Sequence, residues 1–237
     1  MRRRALVTGG AVRVGRALAL ALAEAGMDVA IAYHASGRQA ADTVRELKAR
    51  GARAVAIRAD LRQARAPGAL VERAARALGG LDVLVNNAAL FYRTPLATTT
   101  RAHYDALLAV NVRAVFLCTQ AAAARMERGG HIVNIGDAGA EHPEPGWGAY
   151  ALSKAAVAAL TRGLGAELRP RGIAVNCVAP GPVLKPARLP AERWSAIREG
   201  GGEGVTAVAA AVVTFATCAA EVTGHVLTVD GEAAGRR

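Results

Sequence analysis

The chain is poor in cysteine, aromatic residues, lysine and long apolar runs. Its 237 residues include three cysteines, Cys118, Cys177 and Cys218. An odd number of isolated thiols in apolar surroundings fits neither a disulfide framework nor metal-ligand spacing, so they read as small buried hydrophobes and no metal is expected. Aromatic residues make up only 4% against 52% hydrophobic residues, so the core must be built mostly from Ala, Val and Leu. No uninterrupted apolar run reaches transmembrane length, which argues against a membrane protein. No linker, low-complexity block or repeat divides the sequence, and one domain over residues 1–237 is expected. Lysine is nearly missing: of 30 basic residues only Lys48, Lys154 and Lys185 are lysine. The net charge of +11 therefore comes from arginines scattered over helix-like segments. Without a basic tail or an aromatic-interleaved patch, nucleic acid is not an expected partner. The start, Met1-Arg2-Arg3-Arg4, runs at once into Ala5-Leu6-Val7-Thr8-Gly9-Gly10, a strand entering a glycine turn with no cleavable spacer, so a cytoplasmic location is expected.

Short apolar runs alternate with helix-length segments. Strands are expected at Ala5–Thr8, Asp28–His34, Ala52–Arg58, Asp82–Asn86, Gly130–Gly136, Gly172–Val178 and His225–Val229. Their few polar interruptions fit strands covered on both faces. Helices are expected at Val14–Ala25, Arg38–Arg50, Ala64–Leu78, Thr100–Glu127, Ala149–Leu168 and Val205–Thr217. Strict alternation of the two implies an α/β fold, a doubly wound parallel sheet with helices on both faces. The region Pro180–Gly204, rich in proline and glycine, follows a strand and so falls at the carboxyl edge where such sheets bind ligands. It reads as a substrate lid over about 181–204, or else as a plain surface loop.

Three local patterns carry chemistry. Thr8 to Gly15, TGGAVRVG, joins the first strand to a helix. Glycines there let the backbone approach a pyrophosphate, and the helix N-terminus favours its charge. At the end of the second strand, Tyr33-His34-Ala35-Ser36-Gly37-Arg38 offers donors and a cation where an acidic residue would select a free ribose 2′-hydroxyl. That corner suits a 2′-phosphate, hence NADP(H), through His34, Ser36 and Arg38, with a plain solvated loop start as the other reading. Tyr150 and Lys154 lie four apart on an expected helix and so share one face. The lysine charge is expected to stabilise phenolate and lower the tyrosine pKa, preparing Tyr150 to hand on a proton.

With these residues in view, the chain resembles the short-chain dehydrogenase/reductase family, whose fingerprint is T-G-x-x-x-G-x-G. The resemblance implies a Rossmann-type sheet of about seven strands in the order 3-2-1-4-5-6-7. It assigns cofactor contacts to Thr8, Gly9, Arg13, Val14 and Gly15, and to Asp60 and Leu61 at the adenine. It adds Asn87 and Ala88 of the Asn86-Asn87-Ala88 turn, and Pro180 and Gly181 beside the nicotinamide. Asn111 matches the family's helix-kinking catalytic asparagine. Tyr150 and Lys154 match its signature pair, with Lys154 also on the nicotinamide ribose. Family members assemble through helices corresponding to Thr100–Glu127 and Ala149–Leu168, so a homo-oligomer, dimer or tetramer, is implied.

Three departures are similar to the pteridine reductase branch. Arg13 replaces the middle fingerprint glycine, Asp137 stands where serine is usual, and Phe91 follows the Asn86-Asn87 turn in a stretch ending Phe91-Tyr92-Arg93-Thr94-Pro95-Leu96. Ala89 departs from that branch, which has a hydroxyl there. Phe91 is expected to stack a flat pterin against nicotinamide, and Asp137 to accept from its ring donors. Arg13 would touch both cofactor and substrate. The implied reaction is hydride transfer to a C=N carbon with Tyr150 as proton donor. For Asp137 a turn cap, for Phe91 lid packing, and for Arg13 a solvated turn position stay open. A 3-oxoacyl-thioester or other ketone reductase is the alternative, and a non-catalytic dinucleotide sensor a second. His103, His131 and His142 read as surface or edge residues.

Overall fold

The computed structural model describes residues 2–183 and 204–230. Seven strands form one sheet: β1 Arg4–Val7, β2 Asp28–Tyr33, β3 Ala54–Arg58, β4 Val83–Asn86, β5 His131–Ile135, β6 Ala174–Pro180 and β7 Val226–Val229. Every pairing is parallel, and the order is β3-β2-β1-β4-β5-β6-β7. All seven expected strands and their order are therefore present, with ends shifted by a residue or two.

Strand side chains alternate between two cores, as the period of two requires. Ala5, Val7, Val29, Ile31, Val83, Val85 and Val133 face one way, against helices α1 (Arg13–Glu24), α2 (Gly37–Ala49) and α7 (Val205–Thr217). Leu6, Ala30, Leu84, Ile132 and Val175 face the other way. There they meet α3 (Ala66–Leu78) and α5 (Ala114–Ala123), with Leu168 at the end of α6 (Gly148–Leu168). In the central strands β1, β2, β4, β5 and β6 both faces are buried, which is why they read as almost continuous apolar runs. At about 25 cal/mol per Å² of apolar area removed from water, these two cores supply the main term holding the layers together.

The expected helix Thr100–Glu127 is instead three pieces. Thr100 caps α4 (Arg101–Leu108), its Oγ1 accepting from His103 N at 3.2 Å. A π-helical turn, Ala109–Arg113, precedes α5, and the helix ends at Ala123. The π turn inserts an extra residue per turn and so re-aims Asn111. By length and composition the stretch Arg101–Ala123 is apolar enough to cross a membrane, but more than half of its most apolar 18 residues are buried inside the fold. Its apolarity is that of a core helix packed between α3 and α6.

The basic start is structural. Arg4 donates from its backbone N–H, Nε and Nη2 to the Asp82 carboxylate at 2.7–2.8 Å. Burial alone would raise the Asp82 carboxyl; the Arg4 donors outweigh it and hold the group below its usual range. Arg2 donates to the carbonyls of Gly26 and Gly51, and Arg3 to that of Ala216. His131, read as a surface or edge residue, is buried at 1% exposure, and among the described residues its Nδ1 has no hydrogen-bond partner. It opens β5 beside α7, in contact with the Phe215 backbone. Cys118 and Cys177 are buried free thiols, whereas Cys218 is partly exposed. The lid expected over 181–204 lies, from 184 to 203, outside the described residues.

Candidate active site

β1 and β4 are neighbours, yet the chain leaves them toward opposite faces, which opens a crevice at their carboxyl ends. The sequence-predicted residues collect along this edge. Thr8 follows β1, His34 and Ser36 follow β2, and Asp60 and Leu61 follow β3. Asn87 and Ala88 follow β4, Asp137 follows β5, and Pro180 and Gly181 close β6.

The turn Thr8–Gly15 is shaped by contacts that leave no room for side chains. A Cβ on Gly15 would lie 2.1 Å from Gly9 O and 2.5 Å from Asn87 Nδ2, and one on Gly10 2.7 Å from Ile31 Cγ2. Gly9 has φ +65°. Thr8 Oγ1 accepts from the N–H groups of Asn87 and Ala88, both at 3.0 Å, while Asn87 Nδ2 donates to Thr8 O at 2.8 Å. Thr8 and Asn87 thus spend their side chains bracing the turn against β4. Arg13 takes the left-handed conformation, φ 53°, and is the one non-glycine residue with positive φ among those described. A side chain in that region costs about 1–2 kcal/mol. A bare backbone cradle at the start of α1 fits the pyrophosphate of a dinucleotide.

At the second corner Ser36 precedes α2 without capping it, and Arg38 occupies the first turn, exposed. His34 Nε2 lies 3.7 Å from Asp60 Oδ2. The Asp60 carboxylate is already held by Arg62, whose Nη2 donates at 2.8 Å, and this brings its pKa down to about 2.

Tyr150 and Asp137, two of the candidate site residues, are in direct contact, in an unexpected electrostatic state. Tyr150 Oη donates to Asp137 Oδ2 at 2.6 Å. The other oxygen, Asp137 Oδ1, accepts from Gly139 N at 2.8 Å and caps the short turn Ala138–Ala140. The turn cap and the contact with Tyr150 are thus both present, on different atoms. Burial, and then the negative charge and hydrogen bond of Asp137, push Tyr150 well above the ordinary phenol range. This corrects the expectation that Lys154 lowers it. Lys154 is 5% exposed and donates to Ile135 O at 2.9 Å. Burial lowers its own pKa, with Asp137 opposing that shift.

Asn111 faces the same region from the π turn. Its Oδ1 accepts from Leu90 N at 2.8 Å, and its Nδ2 donates to Leu90 O and Ser153 Oγ, both at 3.0 Å. Ser153 Oγ in turn donates to Tyr150 O at 2.6 Å. The amide therefore ties the Phe91 loop to the helix bearing Tyr150 and Lys154.

Phe91 is 57% exposed and stacks on Trp147, with centroids 4.7 Å apart and planes at 24°. Tyr150 stands edge-on to both rings, at 5.0 Å from Phe91 and 5.6 Å from Trp147. The two loops are stitched together. Thr94 N donates to Gly146 O at 2.7 Å, Arg93 Nη2 to Pro145 O at 3.0 Å, and Ala149 N to Thr94 Oγ1 at 3.2 Å. Sequence reasoning missed Ser153 and Thr94 as supports and Arg62 as the partner of Asp60. A hydroxyl directly before Lys154 was the one available signal.

A parallel sheet with a crevice at β1 and β4, a glycine turn opening into a helix there, and a buried tyrosine–lysine pair beside it define a dinucleotide-dependent oxidoreductase. The chain belongs to the short chain dehydrogenase family, whose sequence profile matches residues 3–195. It is 38% identical over 183 residues to the 3-oxoacyl-(acyl-carrier-protein) reductase FabG of Staphylococcus aureus, covering 76% of this chain and 74% of that one. A crystal structure of a short chain dehydrogenase from Burkholderia cenocepacia J2315 in complex with NADP superposes with TM-score 0.92 at 42% identity, over 98% of both chains. A blue fluorescent protein from a metagenomic library, in complex with NADPH, gives TM-score 0.91 at 40% identity over 98% of both.

Proposed function

We propose that this single-domain chain is an NADPH-dependent reductase of a planar nitrogen heterocycle with a C=N bond, of the pterin kind. The observation that carries the reading is the 2.6 Å hydrogen bond from Tyr150 to Asp137 beneath the Phe91–Trp147 stack. A flat ring suits the aromatic pair. Ring N–H donors suit a carboxylate, which opposes the negative charge that grows on a ketone oxygen.

In this reading Thr8, Gly9, Arg13, Val14 and Gly15 hold the pyrophosphate, and Asp60, Leu61, Ala88, Pro180 and Gly181 line the cofactor crevice. His34, Ser36 and Arg38 meet the 2′-phosphate at the N-terminus of α2, where the helix dipole favours it. The relatives crystallised with NADP and NADPH support that choice. The reduced nicotinamide supplies the hydride when bound. The chain's own groups manage the proton. Burial and Asp137 keep Tyr150 protonated, so the phenol is present to protonate the nitrogen as the carbon is reduced. Lys154, fixed by Ile135 O, supplies the buried positive charge that offsets the phenolate left behind. Arg13 and Phe91 border the substrate side.

A second reading, a 3-oxoacyl-thioester reductase, is favoured by the FabG relatives. Comparing NADPH oxidation with a dihydropterin and with an acetoacetyl thioester separates the two. Turnover of the thioester alone would overturn the pterin reading, and a Tyr150→Phe variant with full activity would overturn the proton donor.

We also infer a homo-oligomer built on α4, α5 and α6, which expose Tyr104, Phe116 and Leu152. Light scattering on a Phe116→Glu/Leu152→Glu variant, expected to show smaller particles than the parent, checks it. A cytoplasmic setting completes the reading, since Cys118, Cys177 and Cys218 are free thiols.

A further inference from the structure

Asp60 follows β3 and stands at the edge of the 2′-phosphate corner, its Oδ2 3.7 Å from His34 Nε2. Uncovered, this carboxylate would set a negative charge against the phosphate that the corner is read to receive. Among the described residues Arg62 is its chief partner. The Arg62 backbone N–H donates to Oδ1 at 3.1 Å, Nε reaches Oδ1 at 2.9 Å and Oδ2 at 3.2 Å, and Nη2 reaches Oδ2 at 2.8 Å. That is the two-pronged fork only a guanidinium provides. Asp60 is an anion at any working pH, its carboxyl drawn down to about 2 chiefly by the Arg62 side chain.

The surroundings hold the pair in place. Arg113 Nη2 donates to Arg62 O, Arg58 Nε to His34 O at 3.3 Å, and Arg73 Nη1 to Arg58 O at 3.2 Å. As a surface ion pair, Arg62–Asp60 contributes little to stability. Its effect is on the local field, because the guanidinium keeps its charge throughout the working range.

Resting on the NADPH reading above, we propose that Arg62 is a positioning residue for cofactor choice: it cancels the Asp60 charge, so that His34, Ser36 and Arg38 present an uncontested positive corner to a 2′-phosphate. Arg62 lies outside the turn, corner and signature residues that carry the family resemblance.

The test is calorimetric binding of NADP⁺, NAD⁺, adenosine 2′,5′-bisphosphate and 5′-AMP to the whole chain, without substrate. Arg62→Ala is expected to weaken NADP⁺ and the bisphosphate about tenfold, the scale of one uncompensated charge at this corner, while NAD⁺ and 5′-AMP change less than about twofold. Adding Asp60→Asn should restore most of the lost NADP⁺ affinity, and Arg62→Lys should keep it. Equal weakening of all four ligands, an unchanged NADP⁺ to NAD⁺ ratio, or no recovery in the double variant would overturn the role of Arg62. A parent protein that binds NAD⁺ more tightly than NADP⁺ overturns the NADPH reading itself, whereas a parent that prefers NADP⁺ with an indifferent Arg62→Ala overturns only this inference.

Discussion

Replacing Asp137 tests the substrate reading most directly, because the structure fixes how near any reacting atom must lie to that carboxylate. Tyr150 Oη is 2.6 Å from Asp137 Oδ2. An atom receiving the tyrosine proton sits within hydrogen-bond reach of Oη, hence no more than about 5.5 Å from the carboxylate oxygen. At an effective dielectric of about 20, unit charges at that separation interact by about 3 kcal/mol. Asp137 is partly exposed, and solvent screening lowers the working figure to about 1.4–3 kcal/mol, or tenfold to a hundredfold in rate. The sign depends on the substrate. A ketone oxygen gathers negative charge and is penalised; a ring with N–H donors or a protonated C=N is favoured.

Asp137→Asn and Asp137→Ser remove the charge and keep an acceptor for Gly139 N, since both residues cap turns well. In each variant the ratio of kcat/KM for dihydropterin to that for acetoacetyl thioester is expected to fall at least tenfold at pH 7. Thermal melts should confirm an intact fold. A ratio that moves less than about threefold in both variants, or that rises, refutes the electrostatic reasoning.

Gly15→Ala should abolish dinucleotide binding in a fluorescence titration, because its methyl would sit 2.1 Å from Gly9 O in a turn already braced by Asn87. Ser153→Ala removes the acceptor for Asn111 Nδ2 and is expected to cost about 1–2 kcal/mol in urea unfolding and to raise KM more than it lowers kcat, with Ser153→Thr less affected. His131 supplies a pH dependence. Burial, and then Arg3, lower its pKa, with the Phe215 carbonyl contact opposing them, so below about pH 6.5 the unfolded chain takes up a proton that the folded one refuses. Stability should therefore fall as pH drops through that point, and the urea midpoint of His131→Gln should lose that part of the slope.

The legible and illegible parts of the site divide by the range of the interactions that make them. β1 through β7 could be read because strand residues such as Ala5-Leu6-Val7 are apolar on both faces, a local property. The Thr8–Gly15 turn could be read because its glycines are needed by backbone alone. Tyr150 and Lys154 could be read because a helix places positions four apart on one face. By contrast, Arg13 in a left-handed conformation, the burial of His131 and the clasp of Arg62 on Asp60 leave no local signature. The π turn at Asn111 was implied only through the family resemblance, since its extra residue leaves the apolar spacing of Arg101–Ala123 almost unchanged.

By itself the sequence determined the layers, the crevice edge and which residues reach it, because periodicity and turn chemistry act over a few residues and do not depend on what packs where. Tertiary structure alone decided the state of those residues. It buried Tyr150 on α6 and brought Asp137 from the end of β5 against it, so that the phenol pKa is raised where the sequence alone led to the expectation of a lowered one. It also closed Phe91 onto Trp147 through the Thr94 and Arg93 stitches. Charge and ring contacts depend on distances between segments far apart in the chain, and folding sets those distances.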